Sequence, residues 1–132
     1  MFVILTFIIF KGENMKYTLR IKKSKNLRYI LKKGKYYSLN NITTHFVYND
    51  NKINYFAVCV SKKNGNSVNR NKLKRWVREI YKEEELKLKK GISIIIIYKK
   101  STIVDNINFN IIKEEIKQCF KELNLYENKE NI

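Results

Sequence analysis

The chain of 132 residues contains no proline and only 4 glycines. Without proline there is no stiff extended linker, and so little glycine leaves no low-complexity hinge between domains. The length then fits one domain with a single core. Cysteine occurs twice, at Cys59 and Cys119, and histidine once, at His45. There is no Cys-x-x-Cys and no second histidine, which argues against a zinc site. Two cysteines in apolar contexts read as reduced core residues, pointing to the cytoplasm. Before residue 83 the acids are Glu13, Asp50 and Glu79 alone. Two-metal phosphodiester cleavage needs several clustered carboxylates, so a protein-only nuclease is disfavoured. His45 has no Ser or Cys that the sequence sets beside it, and a strand histidine is more often structural or ligand-stacking than a general base. Gly65 stands alone in SKKNGNS, without the spacing of a Walker or dinucleotide loop. No catalytic constellation can be assembled.

What is abundant is positive charge. Lys and Arg number 28 against 12 Asp and Glu, a net charge of +16. Residues 1–82 hold 19 basic and 3 acidic side chains, whereas residues 83–132 hold 9 of each. The field therefore belongs to the first part of the chain. Nucleic acid is the first partner it suggests and an anionic membrane surface the second. Hydrophobic content of 44% with 13% aromatics excludes a disordered polycation.

The opening run MFVILTFIIF is too short to span a bilayer and lacks the basic flank and small-residue cleavage site of a secretory signal. Met15 begins again with MKYTLRIKKSKN. Residues 1–14 therefore read as an extension outside the fold, with a short strand or interfacial segment as the alternative. Residues 15–125 read as a single RNA-binding domain, and 126–132 as a polar, frayed tail. No stable membrane association is expected.

A first helix is expected from Ser24 as N-cap to Gly34, with Leu27, Ile30 and Leu31 at helical spacing. Tyr36–Tyr48 and Asn54–Ser61 alternate like strands around the turn Asn49-Asp50-Asn51-Lys52, which predicts a hairpin. ISIIIIY, residues 92–98, is apolar on both faces and reads as an interior strand, forming a βαβ unit with the strand at Asn54. Gly91 is expected to stop the preceding helix. A last helix from Asn108 to Leu125 buries Phe109, Ile112, Ile116, Phe120 and Leu123.

Between the second strand and the isoleucine run lies SKKNGNSVNRNKLKRWVREIYKEEE, residues 61–85. Leu73, Trp76, Val77, Ile80 and Tyr81 form one apolar stripe, and at about 100° per residue Asn71, Lys74, Arg75, Arg78 and Lys82 fall on the other side. Asn66, Ser67 or Asn69 can cap the helix, whose exposed first amides favour phosphate. Arginines grip phosphate bidentately, and one Glu among so many cations argues against a merely solvated face. Glu83, Glu84 and Glu85 splay around the helix and read as solvated surface. RNA is favoured over DNA, because no recognition-helix or zinc-finger arrangement is present and the aromatic strands offer stacking surfaces.

The run Ser61-Lys62-Lys63-x-Gly65-x-Ser67-Val68-x-Arg70-Asn71-x-x-Lys74-Arg75-x-x-Arg78 resembles the signature of the bacterial ribonuclease P protein component, S-x-K-x-G-x-A-V-x-R-N-x-x-K-R-x-x-R. Ser67 stands where that family usually has Ala. The resemblance spans about residues 16–125. It implies an α/β (α+β) two-layer sandwich, α-β-β-β-α-β-α, with a mixed four-stranded sheet like domain two of a small-subunit ribosomal protein. It also implies a left-handed βαβ crossover, against the usual hand. The catalyst would be a partner RNA using Mg2+, with no cofactor on the protein. Lys62, Lys63, Arg70, Asn71, Lys74, Arg75 and Arg78 match the positions that contact this ribonuclease P RNA. The 5′ leader of precursor tRNA would lie in a cleft at Leu27, Leu31 and His45, where the family has aromatic rings and this chain keeps mainly an apolar wall. The implied role is assistance in endonucleolytic removal of that leader. The competing reading is a non-catalytic RNA-binding ribosomal or assembly protein on a related fold.

Overall fold

A computed structural model describes residues 17–127. The expected extension at 1–14 and the end of the tail, 128–132, lie outside the described residues. The elements are β1 (Thr18–Arg20), α1 (Ser24–Lys33), β2 (Lys35–Ser38), β3 (Ile42–Tyr48), β4 (Asn54–Cys59), α2 (Ser67–Glu84), β5 (Ile92–Tyr98) and α3 (Phe109–Glu122). The mixed sheet has five strands in the order β1-β4-β5-β3-β2, one more than expected. The addition is β1, which pairs in parallel with β4 through Thr18↔Asn54 and Arg20↔Phe56. Three residues are too few to display an alternation, so this strand leaves no periodic signal.

The expected hairpin does not form. β5 lies between the two strands, antiparallel to β3 from Ile42↔Tyr98 to Tyr48↔Ile92, and parallel to β4 from Tyr55↔Ser93 to Cys59↔Ile97. The reason is burial: Ile94, Ile95 and Ile96 are fully covered, which only an interior strand with both faces packed allows. The turn after β3 must then cross an intervening strand, roughly 10 Å. Gly91 serves that crossing and not a helix end. Its φ is +82°, a Cβ there would stand 2.7 Å from the Asn51 carbonyl oxygen, and Asn49 N–H donates to the Gly91 carbonyl at 2.8 Å.

One face of the sheet carries the main core: Leu73, Val77, Ile80 and Tyr81 of α2 and Ile112, Ile116 and Phe120 of α3 pack on Ile42, Phe46, Phe56, Ile94 and Ile96. The expected α+β class and the βαβ unit β4-α2-β5 are present, but helices cover both faces of the sheet and not one. On the other face α1 covers a smaller cluster of Ile21, Ile30 and Ile95, with Leu27, Val47, Tyr55, Ala57, Cys59 and Ile97 around it. Gly34 closes α1 in extended backbone, φ −76°, not in the left-handed form expected of a helix-ending glycine. It is required for space, since a Cβ would lie 2.5 Å from the carbonyl oxygens of Ile30 and Phe46. Lys23, not Ser24, is the N-cap of α1, and it makes no side-chain capping bond.

The end of α2 differs most from its sequence reading. Glu84 and Glu85 are 3% and 5% exposed, not solvated. Glu84 accepts from the Tyr126 hydroxyl at 2.8 Å, and Glu85 accepts the Tyr17 backbone N–H at 2.9 Å. Both ends of the described chain fold over this corner. The tail is accordingly held at its start: Leu88 bridges Tyr126, and Glu127 N–H donates to the Lys87 carbonyl at 2.8 Å. Trp76 also departs from expectation. It is half-buried at the rim of the core, with the Lys72 ammonium 5.3 Å from its ring centre.

Candidate nucleic-acid interface

The basic loop is held from inside. Ser61 caps a short 3-10 turn, Lys62–Asn64, its Oγ accepting the Lys63 N–H at 3.2 Å. Asn64, 2% exposed, accepts the Ser61 N–H and donates through Nδ2 to the carbonyls of Lys99 and Thr102, at 2.8 and 3.0 Å. One buried amide thus ties the loop to the segment after β5, and Lys62 and Lys63 are left on the exposed side. Gly65 follows at φ +126°, a conformation that side-chain-bearing residues rarely adopt. Asn66 then caps α2, its Oδ1 accepting the Asn69 N–H at 2.9 Å.

Along the loop and α2 the seven predicted contact residues divide. Asn71 and Arg75 are exposed, as are Lys62 and Lys63. Arg70 is half-buried, and its Nη1 donates to the Gly65 carbonyl at 2.9 Å. It therefore braces the loop as well as presenting charge, which sequence spacing did not indicate. Lys74 and Arg78 turn toward β4 and line a groove of about 320 Å³ with Arg20, Lys22, Leu27 and Cys59, floored by Ala57 and Val58. Burial pushes the Cys59 thiol up, while the Lys74 ammonium acts in the opposite sense.

The groove is where the two sets of predicted residues meet, and the meeting is partial. Leu27 joins Lys74 and Arg78, but Leu31 and His45 are not among the groove's walls. Leu31 is 39% exposed. His45 lies on the α1 face of the sheet, opposite Ile95, stacked on Tyr36 with ring centres 5.4 Å apart. Tyr36 is 64% exposed, so it supplies an aromatic surface beside His45, the position where the family has an aromatic ring and this chain does not.

The ribonuclease P family model matches residues 15–124, most of the chain and all of this interface. The chain belongs to the ribonuclease P protein family. Similar relatives include the ribonuclease P protein component of Clostridium kluyveri, 34% identical over 110 residues, covering 81% of this chain and 96% of the relative. That of Dictyoglomus turgidum is 31% identical over 103 residues, covering 78% and 87%. Among solved structures, the Staphylococcus aureus RNase P protein superposes with a TM-score of 0.71 at 27% identity, covering 82% of this chain and 97% of that one. The Thermotoga maritima RNase P protein gives 0.68 at 26%, covering 75% and 92%.

Within this family member, sequence reasoning missed Arg20 and Lys22, because the strand that delivers them is too short to predict. It missed Asn64, an unmarked position between Lys63 and Gly65, because an asparagine in a turn gives no sign of being buried. It also missed Tyr36, whose ring is placed by the pairing of β2 with β3 through Tyr36↔His45. Burial lowers the His45 pKa from its ordinary value near 6.5, and among the described residues Nδ1 has no hydrogen-bond partner. The unfolded chain therefore binds the His45 proton at a higher pH than the fold does. Stability is full above about pH 6.5 and declines as the pH falls below it. Denaturant melts between neutral and mildly acidic pH should show a modest decline that disappears in His45→Phe; a decline of equal size in the variant would clear His45 as its source.

Proposed function

We propose that this chain is the protein subunit of a ribonuclease P ribonucleoprotein, acting in removal of the 5′ leader from precursor tRNA. The reading is supported by the groove in which Leu27 of α1 meets Lys74 and Arg78 of the signature helix. Lys62, Lys63, Arg70, Asn71 and Arg75 lie outside the groove, on the loop and α2, and serve the ribonuclease P RNA. Lys74 and Arg78 stand at the junction of the two surfaces. The leader is taken into the groove, with its phosphates toward the cations and its bases against Leu27 and the β4 floor.

Among the described residues no three or more His, Cys, Asp or Glu side chains gather as a metal site. The chemistry is assigned to the partner RNA, whose Mg2+ ions would supply an activated water and stabilisation of the developing charge. The protein's part is to hold substrate near the ribozyme and to neutralise phosphate repulsion, so that less Mg2+ is needed. Among the described residues no helix is long and apolar enough to cross a membrane, and the proposed setting is the cytoplasm.

Reconstitution tests the reading. Purified protein mixed with ribonuclease P RNA and precursor tRNA at low Mg2+ should stimulate cleavage at the mature 5′ end. RNA binding without any stimulation would instead fit a non-catalytic RNA-binding protein on the same fold.

A further inference from the structure

A second hollow lies on the other flank of α1. It measures about 480 Å³, and its walls include Tyr29, Tyr48, Tyr55, Lys22, Lys23 and Asp50. Tyr29 is two residues from Leu27, about 200° around the helix. Its wall of the hollow is thus turned away from the groove that Leu27 lines. The floor of the hollow is Val47, Tyr55 and Ser93, paired residues of neighbouring strands, while the groove sits farther along β4 at Ala57 and Cys59. The two depressions share Arg20, Ile21 and Lys22, the short link between β1 and α1, which forms the ridge between them. A strand leaving the groove over that ridge would enter the second hollow directly.

Its chemistry suits such a strand. Among the described residues its lining holds the basic side chains of Arg20, Lys22 and Lys23 and one carboxylate, Asp50, a composition that suits an anion. Tyr29 and Tyr48 are each 59% exposed, so both rings offer a face on which a base can stack. The α1 N-terminus at the ridge has no side-chain cap and no acid in its first turn, and its dipole is positive there. Aromatic faces beside cations, next to a phosphate path, are the elements by which proteins hold single-stranded RNA without reading its sequence.

We propose that the hollow of Tyr29, Tyr48 and Tyr55 is a second RNA subsite, taking leader nucleotides that lie 5′ of those in the Leu27 groove. The proposal rests on the leader-binding reading above. It makes the contact depend on leader length: a short leader ends in the groove, and a longer one crosses Arg20–Lys22 and stacks on the tyrosines.

The test uses the reconstituted holoenzyme and two precursor tRNAs, one with a leader ending within the groove and one several nucleotides longer. Tyr29→Ala with Tyr48→Ala should weaken binding of the long-leader precursor by about 5-fold to about 100-fold, the range for losing base–aromatic stacking. Binding of the short-leader precursor and of the RNA subunit alone should be unchanged, and Tyr29→Phe with Tyr48→Phe should bind the long leader as the parent does. Both tyrosines are largely exposed, so the Ala variant should fold, which an unchanged melting curve verifies. Equal losses for both leaders, or none, would overturn the subsite. A loss confined to the RNA subunit would overturn it in favour of a ribozyme contact. If the parent protein bound neither precursor better than the RNA subunit does alone, the leader-binding reading itself would fall, and this proposal with it.

Discussion

Raising salt from about 50 to about 200 mM is expected to weaken this protein's RNA complex by about 10³-fold or more. The basis is the number of cations that one surface presents. Lys62, Lys63, Arg70, Lys74, Arg75 and Arg78 lie within the basic loop and the first turns of α2, with a single Glu, Glu79, close behind. Each phosphate they neutralise releases condensed counterions, and that release is what added salt opposes. The double variant Lys74→Ala with Arg75→Ala should bind more weakly at any salt, and its log–log slope should be shallower by about 1 for each phosphate that goes unneutralised. Folding should be nearly unaffected, because Arg75 is exposed and Lys74 lies at the groove's edge and not in the core. Arg70 is the wrong residue for this experiment. Its bond to the Gly65 carbonyl means that a loss at Arg70 would mix charge with loop order. A shallow parent slope, or an unchanged slope in the double variant, would show that α2 does not meet the RNA backbone.

Why α2 and its loop could be read so far from sequence, and the groove so little, has a physical answer. The stripe Leu73, Val77, Ile80 and Tyr81 and the run ISIIIIY are each set by local periodicity, and both are buried as the pattern requires. Pairing is not local. The same apolar run that announces an interior strand also displaces the hairpin on its flank, because a strand buried on both faces must have a neighbour on each side. Burial of charge is not local either. Glu84 and Glu85 look solvated in the sequence because their partners, Tyr126 and Tyr17, are 42 and 68 residues away. The groove follows the same rule: Leu27, Lys74 and Arg78 were each legible on their own helix, but their meeting depends on how α1 packs on the sheet beside β4.

Tyr81→Ala is expected to be among the most damaging single changes in the domain, at about 3–5 kcal/mol. The side chain is fully buried, its ring stacked on Phe56 at 4.2 Å between centres and edge-on to Phe120 at 6.5 Å. Removing it opens a cavity where α2, α3 and β4 converge, and a domain of this size should lose roughly 12–20 °C in melting temperature. Tyr81→Phe separates the ring from its hydroxyl. That hydroxyl lies 2.9 Å from Thr18 Oγ1, and Thr18 is 1% exposed, so the phenylalanine strands a buried polar atom of β1. The expected cost is about 1–3 kcal/mol, borne mainly by the β1 edge that delivers Arg20 and Lys22 to the groove. The two variants also differ in alkali. Burial raises the Tyr81 phenol well above its ordinary value of 10.0, so above that pH the unfolded chain releases this proton and the fold does not. Stability then falls as pH rises. Tyr81→Phe should show a shallower alkaline decline than the parent, the remainder coming from Tyr98, Tyr126, Cys59 and Cys119, which burial raises in the same way. An alkaline decline as steep as the parent's would mean that Tyr81 ionises as easily in the fold as out of it, and that burial does not hold its proton.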